Sequence, residues 1–258
     1  MQITDQTGQL LHLPSPVNKI ISTVPSQTEL LFDLGLNTEV IGITKFCVHP
    51  DEWFKTKTRI GGTKTLNIEL ISNLNPDIIF ANKEENTEAQ IKTLCKEFPV
   101  YISDIKNLDE ALQMIEDIGK ITGKENEAMN IITKINNGFE QLKPAGKINT
   151  AYFIWNNPYM SVGSDTFINY MMNRCGFKNV LAGKLRYPET TLDELNNLDC
   201  ELLLLSSEPF PFKEKHIDEI KAAGFKGRIV LVDGEMFSWY GSRLLKALPY
   251  FQQLINSI

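Results

Sequence analysis

Aromatic and polar residues gather in five short stretches: Phe46 to Trp53, Gly61 to Leu66, Trp155 to Met160, Arg186 to Pro188 and Phe237 to Gly241. Aromatic side chains bury a large area at small entropic cost and suit a flat, partly apolar ligand. Lys45, Lys64, Arg186 and Arg243 lie in or beside these stretches, where their cations would meet carboxylates or phosphate on such a ligand. The chemistry this pattern supports is non-covalent capture, by stacking and a few hydrogen bonds. Each residue also has a plainer role open to it: Phe46 and Trp53 as packing residues, Trp155 as part of its strand, Tyr187 and Trp239 as cover for an edge.

Signals for covalent chemistry are missing. No GxGxxG, GxxxxGK[ST] or GxSxG occurs, so nothing marks a dinucleotide site, a phosphate loop or a nucleophile elbow. No two carboxylates have a spacing that singles out an acid and base couple. His12, His49 and His216 are too scattered for a metal cluster; His216 sits in a polar helical stretch that predicts exposure, and His49 offers a loop hydrogen bond or a ligand to a chelated metal. Cys47, Cys95, Cys175 and Cys200 form no CxxC pair and read as reduced, buried thiols. The expectation is a protein that is no enzyme and requires no cofactor.

The elements that must position these loops are legible in the alternation of apolar runs with helical patterns, the signature of a largely parallel sheet flanked by helices. Candidate strands are 19–24, 40–44, 78–81 and 100–103, and later 148–155, 202–206 and 229–232. Ser26 and Glu29 have capping-box spacing and predict a helix running to Gly35, and Asn67 can cap a second. Further helices are predicted at 86–98, 108–119, 164–175, 191–198 and 213–223, and a last one from Ser242 contains Pro249. The stretch 122–142 carries Ala128, Ile132, Ile135, Phe139 and Leu142 on one helical face, with Thr122 and Glu125 at capping-box spacing. It reads as a rigid connector. The resulting division is an N-terminal α/β lobe at 1–121, a connecting helix at 122–142 and a C-terminal α/β lobe at 143–258.

Composition narrows the partners. The 258 residues are 42% hydrophobic and 22% charged, with a formal charge of −6. Acid is concentrated early: 13 basic and 20 acidic side chains precede residue 142, against 13 and 12 after it. The basic face of a nucleic-acid binder is absent, and an anionic membrane would repel the first half. No apolar run approaches the roughly 18 residues that span a bilayer. Residues 1–20 show neither a basic n-region nor an apolar h-region, which predicts a cytoplasmic protein if Met1 is the native start and a periplasmic or membrane-surface one if a signal was trimmed.

The motifs, taken in order, resemble a known family. Val24-Pro25-Ser26-Gln27-Thr28-Glu29-Leu30, Gly42-Ile43-Thr44 followed by His49-Pro50, Gly61-Gly62-Thr63-Lys64, Asn67-Ile68-Glu69 and Asn75-Pro76-Asp77-Ile78-Ile79 are similar to the substrate-binding proteins of cobalamin and ferric-siderophore ABC importers. So are Gly163-Ser164, Cys175-Gly176-Phe177-Lys178-Asn179-Val180, Arg186-Tyr187-Pro188 and the stretch from Asp233 to Arg243. The resemblance implies two α/β lobes with mainly parallel central sheets, joined by one long backbone helix, with a ligand cleft between the lobes and small hinge motion. Carried onto this chain, it places Pro25, Phe46 and Asn82 on the ligand from the first lobe, and Met160, Tyr187, Ser238 and Trp239 from the second. His49, Thr63, Lys64, Trp155, Arg186 and Arg243 complete the candidate set. Thr63 and Asn82 stand where the cobalamin-binding pattern has tryptophans, and Ser238 and Trp239 where it has an acidic and basic pair.

The same resemblance implies docking to a membrane ABC permease dimer through one acidic side chain on each lobe: Glu69 on the first, and Asp193 or Glu194 on the second. A carboxylate in the first turn of a helix is also favoured by the helix dipole, and Glu194 has capping-box spacing from Thr191. The implied function is capture of a bulky metal chelate by a monomer, cobalamin or another corrinoid first, a ferric siderophore or haem second. Two other readings stand beside it: a cytoplasmic module that senses or stores a corrinoid, and a two-lobed α/β transferase, against which the missing phosphate loop counts.

Overall fold

Residues 78–82 and 202–206 are buried at every position, as expected of central strands covered on both faces. The computed structural model, which describes all 258 residues, places each of them inside a parallel sheet in one of two compact units. The first unit comprises Met1–Ile105, Asp109–Asn137 and Trp239–Leu245; the second comprises Lys106–Leu108, Gly138–Ser238 and Lys246–Ile258.

The first unit opens with a hairpin of β1 (Gln2–Thr4) and β2 (Leu10–His12). Then come β3 (Ile20–Ser22), α1 (Pro25–Asp33), β4 (Val40–Ile43), α2 (Asp51–Thr56) and β5 (Thr58–Arg59). The hairpin β6 (Gly61–Gly62) and β7 (Thr65–Leu66) leads to α3 (Ile68–Leu74), β8 (Ile78–Asn82), α4 (Glu88–Leu94) and β9 (Val100–Ser103). Helices α5 (Leu108–Thr122) and α6 (Glu125–Gln141) follow, and α6 carries the chain across to the second unit at Gly138. There the order is β10 (Ile148–Phe153), α7 (Phe167–Arg174), β11 (Phe177–Asn179), α8 (Leu192–Asn197), β12 (Leu202–Ser206), α9 (Glu214–Ala222) and β13 (Arg228–Val232). Short α10 (Gly234–Ser238) and long α11 (Leu244–Ser257) end the chain.

The main sheet of the first unit has the order β5-β4-β3-β8-β9, that of the second β11-β10-β12-β13, and every pairing in both is parallel. The first core packs Ile21, Ile60, Ile71, Ile79 and Val100, and the second Ala151, Phe153, Leu195, Leu203 and Leu205. Buried Asp5 ties the first hairpin to the sheet: Oδ1 accepts from the Thr7 and Gln9 amides, each at 2.9 Å, and Oδ2 accepts from the Ile102 amide at 3.2 Å. No helix is long and apolar enough to cross a membrane.

Most expected elements are present, with the caps at Asn67 and Thr191: their side chains accept from the Leu70 and Glu194 amides at 3.0 and 3.1 Å. Others depart from the local pattern. Helix α1 starts at Pro25, whose absent N–H is not needed at a first helical position, so Ser26 and Glu29 lie inside the helix and no capping box forms. Thr122 closes α5 instead of opening α6; its hydroxyl bonds back to the Ile118 carbonyl, and Gly123 at φ +67° breaks the chain between two consecutive helices. The single connector expected at 122–142 is therefore the second of a pair. Helix α7 begins at Phe167, capped by Thr166, three residues past Ser164. His216 is buried, contrary to its polar surroundings in sequence: Nδ1 accepts from the Lys213 amide at 2.8 Å, and the ring packs on Phe210 and Phe212. Cys47, Cys175 and Cys200 are buried free thiols, and burial pushes the Cys175 and Cys200 thiols up to about 12 and about 11.

A buried acid in α5 has a pH signature. Asp117 accepts from the Tyr101 hydroxyl at 2.7 Å and from the Gln113 amide at 3.0 Å, yet burial raises its carboxyl above the ordinary range. A carboxyl raised on folding contributes stability that is fully present below its unfolded pKa and lost as pH rises through the folded one. Asp117→Asn removes that loss, so the stability difference between variant and native protein should shift in the variant's favour from about pH 4 to about pH 8, read by urea denaturation. A difference independent of pH contradicts the assignment.

Candidate functional site

Parallel pairing throughout puts the carboxyl ends of all strands on one edge of each main sheet. In the first, the chain fills β4 and β5 on one side of β3 before adding β8 and β9 on the other; in the second, β11 lies on one side of β10, and β12 and β13 on the other. At such a reversal the loops leave in opposite directions and open a crevice, the usual ligand position in α/β sheets. The flanking loops are those after β3 and β8 in the first unit and after β10 and β12 in the second.

In the first unit these loops share a polar floor. The Thr23 hydroxyl bonds Asn86 Oδ1 at 2.8 Å, the Asn82 amide bonds the same oxygen at 2.9 Å, and Asn86 Nδ2 donates to the Thr63 carbonyl at 3.0 Å. Asn82 is itself buried: Nδ2 donates to the Ser103 carbonyl and hydroxyl, and Oδ1 accepts from the Glu84 and Glu85 amides. It shapes the loop. Phe46 is the outward surface here, 51% exposed, with Lys45 Nζ 5.1 Å from its ring centroid. Phe46 lies against Gly62, where a Cβ would come within 3.1 Å of Phe46 Cε2, so the Gly61–Leu66 hairpin sets the ring's position. Lys64 is exposed and reaches the Glu84 carbonyl, while Pro25 and Thr63 are half-buried beside the floor. Trp53 faces inward and is fully buried, edge-on to Phe32 at 5.4 Å.

In the second unit, two stretches far apart in sequence are zipped together. Met160 bridges both Trp155 and Glu189, the Ser161 amide donates to the Pro188 carbonyl at 2.9 Å, and the Gly163 amide donates to the Arg186 carbonyl at 2.7 Å. This lays the stretch from Met160 to Gly163 alongside the stretch from Arg186 to Glu189, with Trp155 paired to Met160. Trp155 is 41% exposed and edge-on to Phe210, 5.8 Å away in the loop after β12. Arg186 adopts a left-handed backbone at φ +59°, held by its amide donating to Asp165 Oδ1 at 2.6 Å, and its guanidinium lies 5.4 Å from the Tyr187 ring. Ser238 ends α10 and donates to Glu208 Oε1 at 2.7 Å.

Trp239 and Arg243 are placed differently from the other candidates: they are only 8% and 5% exposed. Arg243 Nε donates to Glu29 Oε2 at 2.7 Å, its guanidinium lies 4.8 Å from the Trp239 ring centroid, and Trp239 meets His49 edge-on at 5.7 Å. Glu29, Asn86 and Phe210 are the residues that motif reading missed; Asn86 alone carried a local signal, as an asparagine in the loop directly after a strand.

The acidic side chains considered for docking also separate. Glu69 and Asp193 are exposed in the first turns of α3 and α8. Glu194 is half-buried and committed, accepting from Lys184 Nζ and the Thr190 hydroxyl, each at 2.7 Å, contacts that hold its carboxyl below the usual range.

Two α/β units with parallel main sheets, linked through consecutive helices and carrying loops at their carboxyl edges, are the architecture of a bilobed periplasmic-binding-protein fold. The chain matches the periplasmic binding protein family over residues 20–223, and it belongs to that family. Among its relatives is an uncharacterized ABC transporter substrate-binding lipoprotein of Bacillus subtilis, YvrC, 25% identical over 99% of this chain and 84% of that one. The vitamin B12-binding protein of Vibrio cholerae is 24% identical over 73% of this chain and 70% of its own. The solved structure of the periplasmic haem-binding protein HutB of Vibrio cholerae aligns with a TM-score of 0.76 at 19% identity, covering 92% of this chain and 98% of that one.

Proposed function

We propose that this protein captures a bulky metal chelate for an ABC importer, a cobalamin or related corrinoid first. The observation that carries the reading is the pair of outward aromatic side chains, Phe46 and Trp155, in loops at the carboxyl edges of the two sheets, with Lys45 over the Phe46 ring. A corrin or porphyrin offers the flat apolar face these rings suit, and its peripheral amides, carboxylates or phosphate suit Lys45, Lys64 and Arg186. Kinship with vitamin B12-binding proteins supports the corrinoid. Haem or a ferric siderophore is the second reading, favoured by Lys45 and Arg186, which suit an anionic chelate. Glu69 and Asp193 would dock the protein to the permease from outside the cytoplasmic membrane; Glu194 is already engaged by Lys184.

Titration calorimetry and absorbance with cyanocobalamin, cobinamide, haemin and a ferric-siderophore panel test the reading. Binding of at least one of them tighter than about 100 μM is expected, and binding of none overturns it. Phe46→Ala and Trp155→Ala should each weaken that binding about tenfold, a loss of about 1.4 kcal/mol, with little effect on folding because both rings are exposed. Unchanged affinity in both variants would remove the aromatic faces from the site.

A further inference from the structure

We propose that Glu29 and Arg243 form a buried latch that holds the crossover Trp239–Leu245 in the first unit and positions Trp239 and His49 for ligand. The path of the chain gives the pair its place. It leaves the second unit after Ser238, runs through Trp239–Leu245 within the first, and returns at Lys246 to build the rest of α11 in the second. Trp239 to Leu244 are all buried, so the excursion is packed along nearly its whole length, and a charged side chain among them needs a partner there.

The anchor is a contact between residues 214 positions apart. Arg243 Nε donates to Glu29 Oε2 at 2.7 Å with side chains only 6% and 4% exposed. Opening the crossover would separate the two charges, and the closed pair fixes where the crossover seats on the first unit. Its backbone is fitted to the same place. Gly241 takes φ +95°, with a built Cβ only 3.4 Å from the Ser26 carbonyl and 3.5 Å from Leu30 Cβ, so the crossover lies on the first turns of α1. The guanidinium then fixes Trp239, which it covers at 4.8 Å, and Trp239 in turn meets His49 at 5.7 Å. Glu29 is thus a positioning residue acting through Arg243. The advantage for binding is preorganisation: a ring and a loop held in place before ligand arrives need not be ordered on arrival. This second part rests on the ligand-capture reading above; the latch itself does not.

Hydrogen–deuterium exchange of the ligand-free full chain separates the two. In Glu29→Gln, peptides covering Trp239–Leu245 should exchange at least tenfold faster than in the native protein, while peptides covering β10, β12 and β13 keep their rates. Unchanged exchange in the crossover, or a uniform rise across the whole chain, overturns the latch. If Glu29→Gln does not fold, Glu29→Asp, which keeps the charge and shortens its reach, is judged by the same two outcomes. Cyanocobalamin and haemin are the binding probes. Glu29→Gln should weaken whichever binds the native protein by about tenfold; equal affinity alongside an opened crossover overturns the positioning role. Binding of neither probe to the native protein counts against the corrinoid and haem readings and leaves the latch to the exchange result.

Discussion

Glu69→Lys combined with Asp193→Lys is expected to abolish uptake of the ligand by cells while leaving its binding to the isolated protein unchanged. Both carboxylates are exposed, one in each unit, and neither belongs to the aromatic faces or the polar floor. Opposing a basic permease surface with two lysines replaces attraction by like-charge contact, which costs several kcal/mol where it occurs. Each single reversal should leave partial uptake. The folded protein should lose no more than about 1 kcal/mol per site, the scale of a carboxylate's interaction with a helix N-terminus. Glu194→Lys is the control: it breaks the contacts to Lys184 and Thr190, so it should lower stability modestly and leave docking intact. Uptake that survives the double reversal with ligand binding intact removes the docking role.

The largest effect on stability is expected from Glu29→Leu, which leaves the Arg243 guanidinium buried without the carboxylate it donates to. Breaking a buried pair from one side costs about 3–5 kcal/mol, since the remaining charge keeps its desolvation penalty and loses its compensation. The double variant Glu29→Leu/Arg243→Met removes both charges and should recover most of that loss. Urea denaturation measures both, with an unchanged m-value expected if the variants unfold to the same ensemble. A loss below about 1 kcal/mol in the single variant would mean that water reaches the pair, in conflict with its burial.

These two cases show where sequence and structure part. The exposed position of Glu69 was legible because it depends on local features: Asn67 caps α3, and a carboxylate in the first turn is exposed by simple helical geometry. Glu29 was not. Its spacing from Ser26 pointed to a capping box, but Pro25 already starts the helix, and the partner that claims the carboxylate lies 214 residues away. No local pattern carries that information. His216 differs, because its partners are local: Phe210 and Phe212 lie just upstream, and its ring accepts from the Lys213 amide, so a polar-looking position is buried by its own neighbours.

The site divides along the same line. Strand ends follow from short apolar runs, so the loops carrying Phe46 and Trp155 follow expected strands, whereas Arg186 follows β11, a three-residue strand that no apolar run marks. The surroundings each side chain meets depend on backbone brought in from elsewhere: Phe46 rests against Gly62, Trp155 is paired with Met160, and Arg186 is bonded to Gly163. Trp239 sits in the same kind of loop by sequence, yet Arg243 and His49 hold it against the first unit. Asn82 follows its strand as expected of a ligand contact, but its amide is spent on Ser103 and on the amides of the next two residues.

Native mass spectrometry of the protein purified gently from its own cells tests the central claim most directly, because a retained ligand identifies itself by mass. The expected species is a one-to-one complex with a metal-bearing chelate, a corrinoid, haem or ferric siderophore, that is lost on denaturation. A sugar nucleotide or other metal-free metabolite in its place would contradict it.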